Sequence, residues 1–253
     1  MGLEQQISSL VQASENLTGA VNNKIGEIDK KVDNSVKEIT ETITKNNIVK
    51  FYIDSEFGID LNSGSSSAPL KTINEAFRRC PTGSTASIYL KRYQRHVFNG
   101  ASWCYALSLS IMAWGSNLDY SKSYHYDSST PILEFNGELN TNGSIIIGGY
   151  RNTLIIESNK DSKIYFYGAG QFTLGRSRIV LDRNGSAFCG FDQNYLNPVK
   201  FSIREGDVVK TSGYLARHSI IFSVDSATGF TYTDEVIAYA TKENTLSNVT
   251  FSA

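Results

Sequence analysis

Six short runs decide the fold: residues 132–135 (ILEF), 144–147 (SIII), 153–156 (TLII), 163–167 (KIYFY), 171–174 (QFTL) and 178–181 (RIVL). Each is rich in Ile, Leu and Phe and alternates enough to bury one face. Polar kinks of Gly, Asn, Ser and Asp separate them, and no helical pattern intervenes. Strands this short hold no core alone. They fit the rungs of a β-solenoid, where each coil buries its apolar face on the next. A β-sandwich carries the same alternation, so the runs predict an all-β body first and a solenoid second.

The same texture continues outward. Runs at 88–90, 105–113, 199–203, 207–210, 219–224 and 235–239 also read as strands. Upstream, 48–53 reads as a strand and 54–68 as a loop crowded with Ser, Gly, Asp and Asn. Residues 70–80 carry a helical pattern with Ile73, Ala76 and Phe77 on one face. Thr72 is placed to cap that helix, Glu75 three residues on matches a capping box, and Pro81 stops it.

Residues 1–47 are of another kind. They hold no Tyr, Phe, Trp, Pro, Cys or His, and five Lys stand against five Glu and two Asp. Leu10, Leu17, Val21, Ile25, Ile28, Val32, Val36, Ile39 and Ile43, with Ser14 as the polar member, are spaced 4-3-4 in an 11-residue period. Such a period, about 3.67 residues per turn, predicts helices packed with slight right-handed supercoil or none. A lone helix with so narrow a stripe is marginal in water. β-Branched residues at most of these positions favour three strands over two. The expectation is a parallel homotrimeric coiled-coil shaft; the competing arrangement is one amphipathic helix lying on the body.

The composition narrows the function classes. A formal net charge of −1 gives no footprint for nucleic acid or an anionic membrane surface. No run of apolar residues is long enough to span a bilayer, so membrane insertion is not expected. The polar stretch Met1–Ser9 contains no signal-peptide core. Cys80, Cys104 and Cys189 are odd in number and far apart. They read as buried small apolar groups in a chain made in a reducing cytoplasm.

One ordered set of residues carries a resemblance. Residues 52–64 (YIDSEFGIDLNSG) followed by 68–77 (APLKTINEAF) resemble the opening of right-handed parallel β-helix proteins of the pectate-lyase-like group, especially bacteriophage tailspikes and tail fibres. Those chains begin with a strand ending in Asp, a polar turn, an Ala-Pro step, Thr-Ile and a capping helix. Leu70 stands where that family more often has Phe. The resemblance covers about 30 residues. It implies a trimeric fibre: coiled-coil shaft at 1–47, opening strand, turn and capping helix at 48–84, β-helical body at 85–200, and an intertwined C-terminal β-tip at 201–253. It also implies a virion-tail protein assembled in the host cytoplasm, joined to upstream fibre or tail proteins. The nearest likeness is the receptor-binding C-terminal end of a siphophage lateral, L-shaped tail fibre. Phe251-Ser252-Ala253 reads as the interior of a strand, and the stop there resembles the cut made when a C-terminal intramolecular chaperone removes itself.

Catalytic patterns are scarce. The sequence has no G-x-S-x-G, H-E-x-x-H or C-x-x-C, and His96, His125 and His218 are scattered. No cofactor is expected. Asp54, Asp60 and Asn62 with Gly58 and Gly64 supply oxygens that a hard cation uses, but their spacing is not that of an EF-hand and a turn explains them. A depolymerase needs two carboxylates roughly 5 to 9.5 Å apart. Asp182 with Asp192, and Glu205 with Asp207, are the pairs to consider, the latter on one strand face or in a solvated turn. Sugar binding without turnover fits better, because it needs aromatic faces interleaved with planar polar groups. Three segments have that texture: Trp103 to Trp114; Tyr124, His125 and Tyr126 in a Ser-rich loop; and Tyr214, Arg217, His218, Phe230 and Tyr232. Burial in the core competes for Trp103 and Trp114, and subunit packing competes for the other two. The expected ligand is a bacterial surface polysaccharide, the O-antigen of lipopolysaccharide. With the shaft towards the virion, the C-terminal segment would meet the cell first.

Overall fold

The computed structural model describes residues 2–114, 126–149, 153–159, 162–167, 170–190, 199–217 and 220–252. The chain divides into two compact units, Met1–Asn46 and Asn47–Ala253.

The first unit is the helix α1 (Leu3–Asn47). It contains no Pro, and its hydroxyls at Ser9, Thr18 and Thr40 donate back to the carbonyls of Gln5, Ser14 and Val36, so they do not break it. Lys24 and Glu27 pair across one turn at 2.8 Å. Leu10, Leu17, Val21, Ile25, Ile28, Val32, Val36 and Ile39 are all at least 48% exposed. The side chain of Ile43 lies outside the described set. The helix runs about 65 Å at 1.5 Å per residue.

The second unit is mainly β. Its elements are β1 (Ile48–Ile53), α2 (Ile73–Arg79), β2 (Thr85–Lys91), β3 (Arg95–Phe98), β4 (Ala101–Cys104), β5 (Ser108–Trp114), β6 (Ile132–Phe135), β7 (Glu138–Thr141) and β8 (Ser144–Ile147). They continue as β9 (Ile155–Ser158), β10 (Lys163–Phe166), β11 (Gln171–Gly175), β12 (Arg178–Gly190), β13 (Val199–Arg217), β14 (Ile220–Thr228), α3 (Thr233–Val236), β15 (Ile237–Ala238) and β16 (Leu246–Ser247). Among the described residues, all sixteen strands belong to one sheet. Its ladders are parallel, and the sheet is curled.

Three ladders make up the curl. The first stacks β1, β2, β5, β8, β11, the start of β13, β14 and β16. The second stacks β3, β6, β9, the start of β12 and the middle of β13. The third stacks β4, β7, β10, the ends of β12 and β13, and β15. The chain visits the ladders in turn, so like positions pile up in columns. Ala86, Leu109, Ile145, Phe172, Phe201 and Phe222 form one inward column. Leu133, Ile156, Ile179 and Val208 form another. Phenylalanine rings pack through the core from Phe77 to Phe98 (5.3 Å between centroids), Phe135 (4.7 Å), Phe188 (5.2 Å), Phe172 (6.1 Å) and Phe201 (4.7 Å). Each fully buried side chain of this kind contributes roughly 1.5–3 kcal/mol. Corner hydroxyls satisfy the backbone where strands end. Ser177 accepts from the Leu154 N–H at 3.2 Å and donates to the Gly175 carbonyl at 3.0 Å.

Several boundaries differ from the sequence reading. The run 105–113 is broken: Tyr105–Leu107 lies between β4 and β5. β13 is a single strand that runs across position 200 and joins the two runs at 199–203 and 207–210. Residues 235–239 are not a strand; α3 occupies Thr233–Val236 and only Ile237–Ala238 pair. Phe251 and Ser252 are not in a strand either. Ser252 turns back and donates its N–H to Asp234 at 2.8 Å.

Candidate functional site

The loop before α2 is held by carboxylates that accept from the backbone. Asp54, 3% exposed, accepts from the N–H groups of Phe57 (3.0 Å) and Glu56 (3.2 Å), from the Gln94 amide (2.8 Å) and from the Lys91 ammonium (2.5 Å). Burial pushes this carboxyl up, but the Lys91 bond and the N–H donors outweigh it and hold it at about 2. Asp60 accepts from the Lys71 and Thr72 N–H groups (3.0 and 2.8 Å) and from the Thr72 hydroxyl (2.9 Å). Both carboxylates, considered above as cation ligands, are therefore engaged with their own chain. Among the described residues no group of three His, Cys, Asp or Glu is placed to hold a metal.

Thr72 caps α2, accepting the Glu75 N–H at 3.3 Å. Only half of the capping box forms. The Thr72 N–H goes to Asp60, and Glu75 instead forks onto Arg78 (2.7 and 2.5 Å) and Arg79 (2.6 Å). These guanidiniums, Arg78 foremost, hold the Glu75 carboxyl at about 2 against the opposing effect of burial. Asn74 ties the helix to the sheet, donating to the Asn99 carbonyl (2.7 Å) and the Ser102 hydroxyl (3.4 Å).

Beside this helix lies an exposed aromatic shelf. Alternation on β4 turns Cys104 inward and Trp103 outward. Trp103 stacks on Tyr105 (5.6 Å, 13°) and on Tyr167 (4.9 Å, 30°), which arrives from the end of β10. The three rings are 43%, 48% and 43% exposed. Between shelf and helix opens a cleft of about 430 Å³, walled by Asn74, Glu75, Arg78, Ser102, Trp103 and Tyr105.

A second cleft, of about 350 Å³, lies at a corner of the sheet and is lined by Gln171, Thr173, Arg176, Arg204, Glu205 and Asp225, among others. Arg176 (φ 42°) and Glu205 (φ 53°) both adopt left-handed backbone conformations and form an ion pair with each other. The carboxylates weighed as a pair, Glu205 and Asp207, are thus each engaged with a different guanidinium. A bulge between Arg204 and Gly206 breaks the strand alternation that would have put Glu205 and Asp207 on one face. Asp207 pairs with Arg178 at 2.6 Å and accepts the Thr228 hydroxyl at 2.7 Å. Asp182 meets the Ser212 hydroxyl at 3.4 Å, while Asp192 is outside the described residues.

The other residues expected to bind sugar are scattered. Tyr124, His125 and His218 lie outside the described residues. The Arg178 guanidinium lies 4.3 Å from the centre of the Tyr126 ring. Trp114 meets the edge of Tyr52 at 5.1 Å, and Tyr52 stacks on Tyr89 at 4.9 Å. Lys210 sits 4.4 Å from the Tyr214 ring centre and Arg217 5.5 Å from that of Tyr239. Phe230 packs on Phe222 at 5.9 Å, against the core. Tyr232 is the N-cap of α3, and its N–H is held by Glu235 at 3.1 Å. His96 is buried at the head of an inward column, with Nε2 2.9 Å from the Lys91 carbonyl oxygen, and burial pushes its pKa down. All three cysteines are buried thiols. Sequence reasoning did not single out Tyr167, Asn74 or Arg78. Tyr167 reaches Trp103 only through the strand register, which no local pattern announces.

Comparisons with known protein families, curated proteins and solved structures returned no match for this chain.

Proposed function

We propose that this chain is a subunit of a homotrimeric bacteriophage tail fibre, the distal segment that attaches the virion to its host. In this reading α1 is one strand of a three-helix coiled-coil shaft. The curled sheet is a parallel β-helix, right-handed as parallel crossovers nearly always are. The C-terminal strands form a β-tip interlocked with the other two copies, and an upstream fibre or tail protein continues the shaft. Its work is non-catalytic binding of a bacterial surface polysaccharide, the lipopolysaccharide O-antigen. Threefold repetition multiplies a weak site by raising the local concentration of the next one.

One observation carries the proposal: an apolar stripe interrupted only at Ser14, exposed over the described length of a 45-residue helix, directly precedes a parallel β-body in the sequence. A stripe of that length needs copies of itself. The exposed patch Phe57, Ile59 and Leu61 on the loop after β1 supports association as well, being 77%, 55% and 93% exposed. The experiment is adsorption of the purified protein to a panel of bacteria of defined O-antigen, with reducing ends assayed in the supernatant. Binding without sugar release is the expected result. Sustained release would make the protein a depolymerase, and binding to no strain would make it a connector within the tail.

A further inference from the structure

We infer that the cleft beside Trp103 is the sugar site of the β-body, that it takes an uncharged oligosaccharide, and that the sugar is engaged from the side, next to α2, rather than at the C-terminal tip. This rests on the glycan-binding reading above and names its ligand class.

The shelf supplies the first argument. Sugars present faces of C–H groups that pack on aromatic rings, and aromatic rings normally withdraw from water. Here three adjoining residues, Trp103 on β4 and Tyr105 and Tyr167 just past the ends of β4 and β10, stay more than two-fifths exposed. Among the described residues, the corner cleft around Arg204 has no aromatic wall. At the C-terminal end, Lys210 lies over the Tyr214 ring, Tyr239 is 71% exposed with the Arg217 guanidinium 5.5 Å from its ring centre, and Phe230 packs against the core.

Charge supplies the second. Both carboxylates among the described residues of the wall are already engaged: Glu75 pairs with Arg78 and Arg79, and Asp60 accepts from two backbone N–H groups and the Thr72 hydroxyl. The two guanidiniums of Arg78 and Arg79 stand against the two carboxylates of Glu75 and Asp60, so a uronic acid or phosphate would meet no net positive charge. What remains are neutral hydrogen-bonding groups and the further N–H donors of Arg78, already fixed in the plane that Glu75 sets. Hydroxyl groups suit such a wall. The cleft volume of about 430 Å³ accommodates a di- or trisaccharide.

The test uses the intact oligomer on an array of neutral and uronic-acid-bearing bacterial polysaccharide fragments. A parallel fluorescence titration uses a Trp114→Phe background, in which Trp103 is the sole remaining tryptophan of the two. Expected are binding to neutral fragments, little change as salt is raised, and a shift in Trp103 emission. Trp103→Ala and Tyr167→Ala should each weaken binding by about tenfold or more, with oligomer mass unchanged, and Trp103→Phe should retain most of it. Glycan binding that both alanine variants keep, or that is confined to acidic fragments, overturns this inference and leaves the adsorption function standing. Dissociation of the oligomer by Trp103→Ala overturns it too, because the shelf would then be a subunit contact. A wild-type protein that binds no fragment and no cell overturns the function itself.

Discussion

Asp54 shows how one residue type can be right for an unexpected reason. Its position at the end of β1 is the mark of a turn, yet it is buried and binds four donors. A carboxyl held at about 2 stabilises the fold above its unfolded pKa of roughly 3.9, and that stabilisation is lost as pH falls through the folded value. Glu75, also at about 2, acts in the same window. Stability should therefore decline between about pH 4 and 2, and Asp54→Asn should flatten that decline while lowering stability at neutral pH by about 1–3 kcal/mol. Urea midpoints across the acid range check both. Gly58 is fixed by contact: a Cβ there would strike the Leu70 and Asp54 carbonyl oxygens. Gly58→Ala should shift the loop and lower the melting temperature by several degrees, whereas Gly83→Ala, whose Cβ meets nothing, should cost only the strain of its φ of 75°. Trp103 was the residue least legible from sequence. It and Trp114 seemed to flank one apolar strand, but the break at Tyr105–Leu107 puts them on different ladders. The break is invisible because Ala106 and Leu107 are as apolar as the strand that follows.

At the scale of elements, apolar density governed what could be read. Five of the six opening runs, β1 and α2 stand where their patterns put them, and the sixth, 153–156, is displaced by two residues to β9, because each carries two or more large apolar residues that find the core. β3, β4 and β7 were missed. Arg95–Phe98 buries a histidine as its first inward residue, and Glu138–Thr141 has a single large apolar side chain. Only their neighbours in the ladder make them strands. Asn136-Gly137 and Asn142-Gly143 would signal hairpins elsewhere; here they turn corners between strands of different ladders. The capping box was half legible, since nothing local showed that Asp60 would take the Thr72 N–H. Thr72→Ala removes the cap and the Asp60 hydroxyl bond together and should destabilise by about 1–2 kcal/mol in urea unfolding. Phe172→Ala opens the middle of the aromatic stack, flanked by Phe188 and Phe201, and should cost about 3–5 kcal/mol.

For the whole molecule, the stripe of 11-residue period remains the feature that a single chain leaves unexplained. Residues from Leu10 to Ile39 repeat the same face, and the helix they form keeps that face open to water. Three copies would bury it, stiffen a helix that is marginal alone, and repeat the shelf threefold. Charges placed in the seam should undo this: Ile25→Glu with Val32→Glu should separate the chains while each β-body keeps its circular dichroism. The most direct measurement is the mass of the native protein in solution, by light scattering behind size exclusion at micromolar concentration. Three times the 28.0 kDa chain is the predicted value. A folded species of 28.0 kDa, stable on dilution and with α1 still helical, would contradict it.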